Sequence, residues 1–172
     1  MVFMSDRLAV IKIIGRANFT SSIDFKLLIN DLFEKGCTCF VLDLSECLLM
    51  DSTFLGVLAG FGLKMMIVPP PPADGVPNAG AIELLNPNTR IAELLENLGV
   101  IHLFKIRMGT LDLPKEVATH TPALASPTRE EVSRNCLEAH RILMEISPDN
   151  VPKFKEVTQF LTEDLKKSKT GA

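Results

Sequence analysis

The sequence is short of most features that announce a specific chemistry. Its three histidines (His102, His120, His140) and four cysteines (Cys37, Cys39, Cys47, Cys136) show no metal-ligand spacing. Cys37 and Cys39 are separated by one residue, not by the two of a redox motif. As alternate residues of a strand they would point to one face, as buried and inert thiols. There is no glycine-rich phosphate loop and no dinucleotide fingerprint, and "GFGLKM" is too short a glycine pattern to count. No histidine is placed beside a nucleophile by the sequence, so the chain does not read as an enzyme, and neither metal nor cofactor is expected.

Charge bias is lacking too. The net charge is −3, with nine basic and eleven acidic side chains in residues 1–108 and nine and ten in residues 109–172. Nothing in that distribution resembles a nucleic-acid footprint. The longest candidate membrane segment, Phe54 to Pro72, is interrupted by Gly56, Gly60, Gly62, Lys64 and four prolines, so no span is expected. The start "MVFMSDRLAV" lacks the basic residues and apolar run of a secretory signal, and the expectation is a soluble, cytoplasmic protein.

What is present is a core. The chain is 47% hydrophobic and 23% charged, and its 172 residues suit one domain with an appendage, or at most two very small domains. "RLAVIKIIG" (7–15) and "CTCFVLDLS" (37–45) read as strands, the second apolar enough to be central. Between them, Ser21 or Ser22 can cap a helix with Ile23, Leu27 (or Leu28) and Leu32 on one face, stopped by Gly36. A helix over about Thr53–Met66, a strand at 81–86, a capped helix ending at Gly99 and a strand at 100–106 follow. Such alternation predicts an α/β layer with helices on a partly parallel sheet.

The insertion "VPPPPADGVPNAG" (68–80) reads as a loop, a spacer or a docking motif for a proline-reading domain. Residues 109–127 read as a linker. Beyond it, Val132, Cys136, Ala139, Leu143 and Ile146 form one helical stripe, with Thr128 and Glu131 as a capping box and Ser147-Pro148 as the break. A last helix carries Phe154, Val157, Leu161 and Leu165 on one face, so residues 128–172 read as a helical pair that needs something to pack on.

The chemistry concentrates in Asp51-Ser52-Thr53, between a strand and a helix. Asp or Ser there can cap the helix, a contribution of roughly 1 kcal/mol. The same helix end also suits an anion, such as a phosphate on Ser52. "FVLDLSECLLMDSTFLGVLAGFGLKM" resembles the core signature of the STAS domain of bacterial anti-sigma-factor antagonists: a strand ending in "DLS", a short apolar stretch, then an Asp-Ser-Ser/Thr turn opening a helix. "NPNTRIAELLENLGVIHLFKI" looks like that family's third helix and last strand. The resemblance covers residues 1–108. It implies a STAS-like mixed sheet covered by helices, and a serine phosphorylated by a kinase that is also the anti-sigma factor and reset by a phosphatase. The matching acceptor is Ser52, with Thr53 second, and the implied partner face includes Asn18, Asp51, Phe54, Val57 and Phe61. The sequence departs from the family where Phe54 replaces a glycine and Asn18 an aspartate.

The helix after the triplet shows two apolar stripes, one of Leu55, Ala59, Gly62 and Met66, the other of Phe54, Leu58, Phe61 and Met65. A helix on a sheet buries one stripe, so the second needs a cover: a partner, a second copy of the chain, or the helical pair. The reading is a non-catalytic, phosphorylation-regulated interaction switch. Its alternatives are a ligand-sensing module, or a structural subunit of a larger assembly in which Ser52 is only a cap.

Overall fold

The computed structural model describes residues 2–5, 7–67, 82–111 and 126–170. The proline-rich insertion at 68–80 and most of the stretch expected to be a linker lie outside these. The described chain contains strands β1 (Val2–Ser5), β2 (Leu8–Ala17), β3 (Cys39–Met50), β4 (Ile82–Leu85) and β5 (Phe104–Arg107). Its helices are α1 (Ser21–Glu34), α2 (Ser52–Met66), α3 (Thr89–Asn97), α4 (Arg129–Ile146) and α5 (Val151–Thr170). No described helix is long and apolar enough to cross a membrane.

The strands form one sheet in the order β1-β2-β3-β4-β5, with β1 antiparallel to β2 and the other pairs parallel. The parallel connections carry α1, α2 and α3, as crossovers require. Alternation along the strands sends Ala9, Ile11, Phe40, Leu42, Leu44, Ile82 and Leu84 into one core with Phe25, Ile29, Leu55, Leu58, Ile91 and Leu95 of those helices. Val10, Val41 and Leu85 form a smaller cluster on the opposite face.

Several boundaries differ from the sequence expectation. Strand β2 runs past Gly15, which sits at φ +76° beside a register shift against β3; the glycine makes a bulge there and not a stop. Strand β3 continues through "ECLLM" to Met50, so Asp51 follows the strand directly. The last strand starts only at Phe104, because Ile101–Leu103 form a 3-10 turn after Gly99, which takes φ +66°. In α1 the buried face is Ser22, Phe25, Ile29 and Leu32, while Leu27 is exposed. Neither Ser21 nor Ser22 is that helix's N-cap; Thr20 is, and it makes no side-chain capping bond.

The C-terminal helices are seated on this layer. Thr128 and Glu131 form the expected capping box of α4, and Ser147 ends it before Pro148–Asn150 turn the chain into α5. The buried Asn135 amide donates to Ser22 Oγ on α1 at 2.8 Å. Asn150, fully buried, donates to the carbonyls of Leu98 (2.9 Å) and Leu143 (2.8 Å), tying the turn between α4 and α5 to the end of α3. Lys26 of α1 pairs with Glu138 of α4 at the exposed rim.

The face of α2 that α4 covers is not the aromatic stripe. Phe54 stacks on Phe25 with ring centroids 4.7 Å apart, and Phe61 meets Phe40 and Phe33 edge-on, so that stripe is covered by α1 and the sheet. Helix α4 lies instead over Gly56 and Gly60, the row that reads as weakly polar in the sequence. A Cβ on Gly56 would stand 2.5 Å from the Ala139 carbonyl oxygen, and one on Gly60 would stand 2.8 Å from Ile142 Cδ1. Two glycines four residues apart let the two backbones approach closely.

Candidate functional site

The three residues of the Asp51-Ser52-Thr53 triplet have three separate tasks. Asp51 is the N-cap of α2: its Oδ1 accepts the Phe54 N–H at 2.8 Å, and its Oδ2 accepts the Phe19 N–H at 2.7 Å. Ser52 is the first helical residue and is not the cap, which corrects the reading of Ser52 as only a cap. Its hydroxyl lies 2.9 Å from His140 Nε2 on α4. Thr53, almost completely buried, donates to Cys136 Sγ one turn earlier on α4 at 3.6 Å.

The direction of the Ser52 contact follows from the other side of the ring. His140 Nδ1 lies 2.8 Å from the Cys136 carbonyl oxygen, which can only accept, so the hydrogen sits on Nδ1. Burial holds His140 below the usual histidine range; the Cys136 carbonyl and the Asp51 carboxylate offset this only in part. A neutral ring protonated at Nδ1 leaves a lone pair on Nε2, and Ser52 Oγ–H donates to it. The ring also rests against Phe154 of α5, with centroids 4.7 Å apart. Burial raises the Cys136 thiol as well, so both groups facing the triplet are uncharged near neutrality.

A serine beside a histidine raises the question of a nucleophile. Here the second ring nitrogen donates to a backbone carbonyl of its own helix and not to a carboxylate, so the pair lacks the charged third member of a Ser-His-Asp triad. A cleft of about 200 Å³ between α1, α2 and α4 is lined by Lys26, Val57, Gly60, Lys64 and Ala139 among others, and Ser52 does not line it.

The other expected site residues have structural partners. Phe54, Val57 and Phe61 are buried within the chain, so the ring of Phe54 does not stand where a partner would approach. Asn18 Oδ1 accepts the Ser21 N–H at 3.1 Å, and its backbone carbonyl accepts the Ser21 hydroxyl, so it shapes the turn into α1. Asp51 joins that turn to α2 through Phe19. Cys37, Cys39 and Cys47 are buried, with thiols raised by burial, as inert thiols would be. Among the described residues no group of histidines, cysteines and carboxylates could hold a metal ion.

Sequence reasoning missed His140 and Cys136 as site residues. The available signal was a histidine and a cysteine four residues apart beside an apolar helical stripe, which places both on the buried side of α4.

No protein-family model matches the chain, and no curated protein matches it in sequence. Its structure is similar to that of the anti-sigma factor antagonist SpoIIAA in its unphosphorylated form. The TM-score is 0.50 at 19% identity, over 64% of this chain and 88% of that one. The phosphorylated form of SpoIIAA, described as a Bacillus cell fate determinant, matches with the same TM-score and identity over 64% and 90%. The mixed sheet covered by helices is thus the architecture expected from the sequence resemblance, and the chain has the STAS fold.

Proposed function

We propose that the chain is a non-catalytic protein-interaction switch with Ser52 as its phosphoacceptor. In this reading residues 1–108 form the switch domain and residues 128–172 an appended helical pair. The partner is a protein of the anti-sigma-factor kind that carries serine kinase activity, and a phosphatase resets the switch. The supporting observation is the division of labour in the triplet: Asp51 caps α2, so the Ser52 hydroxyl is not needed to start the helix. A phosphate there would meet the positive end of the α2 dipole. The solved structures of similar fold include one antagonist in unphosphorylated and phosphorylated forms, which is consistent with a fold that tolerates such a group.

The test is intact-mass spectrometry with site mapping on protein taken from its native cell under several growth conditions. A phosphate on Ser52 whose occupancy changes with condition is the expected result. Protein that is never modified at Ser52 would reject the reading.

A further inference from the structure

We propose that helix α4 is a detachable cover over the Ser52–Gly60 face of α2, latched by the Ser52–His140 hydrogen bond, and that negative charge at Ser52 releases it. The proposal rests on Ser52 being the switch residue and concerns how that site is regulated.

Three observations carry it. The first is what the interface is made of. The α2 side offers Ser52, Thr53, Gly56, Val57 and Gly60, and the α4 side offers Cys136, Ala139, His140 and Ile142. The large apolar side chains of α2 (Phe54, Leu55, Leu58, Phe61 and Met65) belong to the core below, with α1 and the sheet. Ala139 and Leu143 of α4 also contribute to that core, so lifting α4 uncovers glycine backbone and hydroxyls together with the apolar surface under these two side chains, while the stacked and edge-on pairs of Phe54 with Phe25 and of Phe61 with Phe33 and Phe40 lie within the sheet domain. Such an interface can open at a lower free energy than the fold itself.

The second observation is shape. Gly56 and Gly60 form a shallow floor on which Ala139 rests with its backbone. The vacated surface suits another helix that brings a small residue to the crossing, as α4 does. Own helix and partner helix would then compete for one seat, and the state of Ser52 would decide which occupies it.

The third is electrostatic. The groups that Ser52 and Thr53 meet across the interface are an imidazole and a thiol, both kept neutral by burial. The Asp51 carboxylate, which acts on the His140 ring, is of the same sign as a phosphate. A phosphate or carboxylate on residue 52 would lose the hydroxyl hydrogen that Nε2 accepts. It would also have to be desolvated against a like charge.

The cysteines supply the measurement. Cys136 lies in the interface, whereas Cys37, Cys39 and Cys47 are buried in the sheet domain. Site-resolved labelling of the full-length chain with a thiol reagent therefore separates opening of α4 from global unfolding. Ser52→Asp and Gly56→Ala should each speed labelling of Cys136 by roughly tenfold or more, with the other three cysteines as slow as in the unsubstituted chain. Gly56→Ala acts by contact with the Ala139 backbone, independently of charge. Two results would overturn the proposal. In one, all four cysteines respond together, so that α4 opens only with the whole fold. In the other, Cys136 labels no faster in Ser52→Asp, because His140 takes a proton and clasps the carboxylate. These results are separate from in vivo modification. A cover released by Ser52→Asp in a protein never phosphorylated would sink the switch reading alone; a phosphorylated protein with α4 still in place would sink this one alone.

Discussion

One carboxylate joins two loops at the top of the sheet: Asp51 accepts the Phe54 N–H of its own helix and the Phe19 N–H of the turn between β2 and α1. Both bonds are short and charge-assisted, and both satisfy backbone donors at helix entrances. The acidic residue of the triplet is thus a structural clamp on which the position of Ser52 depends.

Asp51→Ala should accordingly cost more than an ordinary N-cap. Losing the cap costs about 1 kcal/mol, and a second bond to a charged acceptor adds about 1.5–3 kcal/mol. Asp51→Asn keeps one acceptor oxygen and should lose less than Asp51→Ala. Urea denaturation of the two variants checks this ordering. An alanine variant that lost only about 1 kcal/mol, the worth of the cap alone, would show that the Phe19 bond contributes nothing.

The two glycines under α4 should respond differently to the same substitution. At Gly60 the added Cβ meets only the terminal carbon of Ile142, which can rotate away, and alanine favours the helix by about 1 kcal/mol. Gly60→Ala should therefore leave the melting temperature within a few degrees of the parent, in either direction. At Gly56 the added atom meets backbone, so no rotamer change relieves it. If Gly56→Ala melted like Gly60→Ala and left α4 protected from hydrogen exchange, the close approach of the two helices would be disproved.

What could be read in the sequence was whatever local chemistry specifies. The Thr128–Glu131 capping box, the Ser147-Pro148 break and the Asn88 cap of α3 stand where their residue types place them. The STAS fold was legible through one motif in its strand-to-helix context. Strand β1 was not, because four residues of "VFMS" carry no periodicity, and only pairing with β2 makes them a strand. The identity of the cover on α2 was half legible. Helical spacing shows which residues share a face, but not which face meets which neighbour. The aromatic stripe drew attention as the face needing a partner, yet Phe25 and Phe40 of the same domain already meet it. Gly56 and Gly60, which carry no side chains, are where α4 docks.

The turn between α4 and α5 rests on one buried amide. Asn150 Nδ2 donates to Leu98 and Leu143 carbonyls, and its Oδ1 accepts from Lys153 at 3.3 Å. Asn150→Leu removes both donated bonds; the Leu143 carbonyl keeps the Ser147 N–H, while the Leu98 carbonyl loses its amide partner, at about 1–3 kcal/mol. The loss should appear as faster hydrogen exchange in α4 and α5, with the sheet unaffected. Uniform loss of protection across the chain would instead mean that the helical pair and the sheet open as one unit.

The last prediction concerns acid. His140 has its proton affinity lowered by burial in the folded chain, while in the unfolded chain it titrates near the ordinary value of about 6.5. Below that pH the unfolded state binds the proton more readily than the folded state does. Stability therefore rises with pH in this window: the contribution is complete above about pH 6.5 and is lost as pH falls through the lowered folded value. The groups facing the ring fix the size of the effect. Burial disfavours the protonated form, the Cys136 carbonyl and the Asp51 carboxylate favour it, and burial outweighs both. A protonated ring donates from Nε2, so the Ser52 hydroxyl must turn from donor to acceptor and acid reverses the direction of the latch. His140→Gln provides the control, because its side-chain oxygen can still accept from Ser52 but does not titrate. Between about pH 7.5 and 5.5 the parent should lose stability with a slope of up to about 1.4 kcal/mol per pH unit from this residue. The glutamine variant should show a flatter profile by that amount. Parallel profiles for the two proteins would mean that His140 is protonated as easily in place as in the unfolded chain, contrary to the buried, neutral acceptor described above.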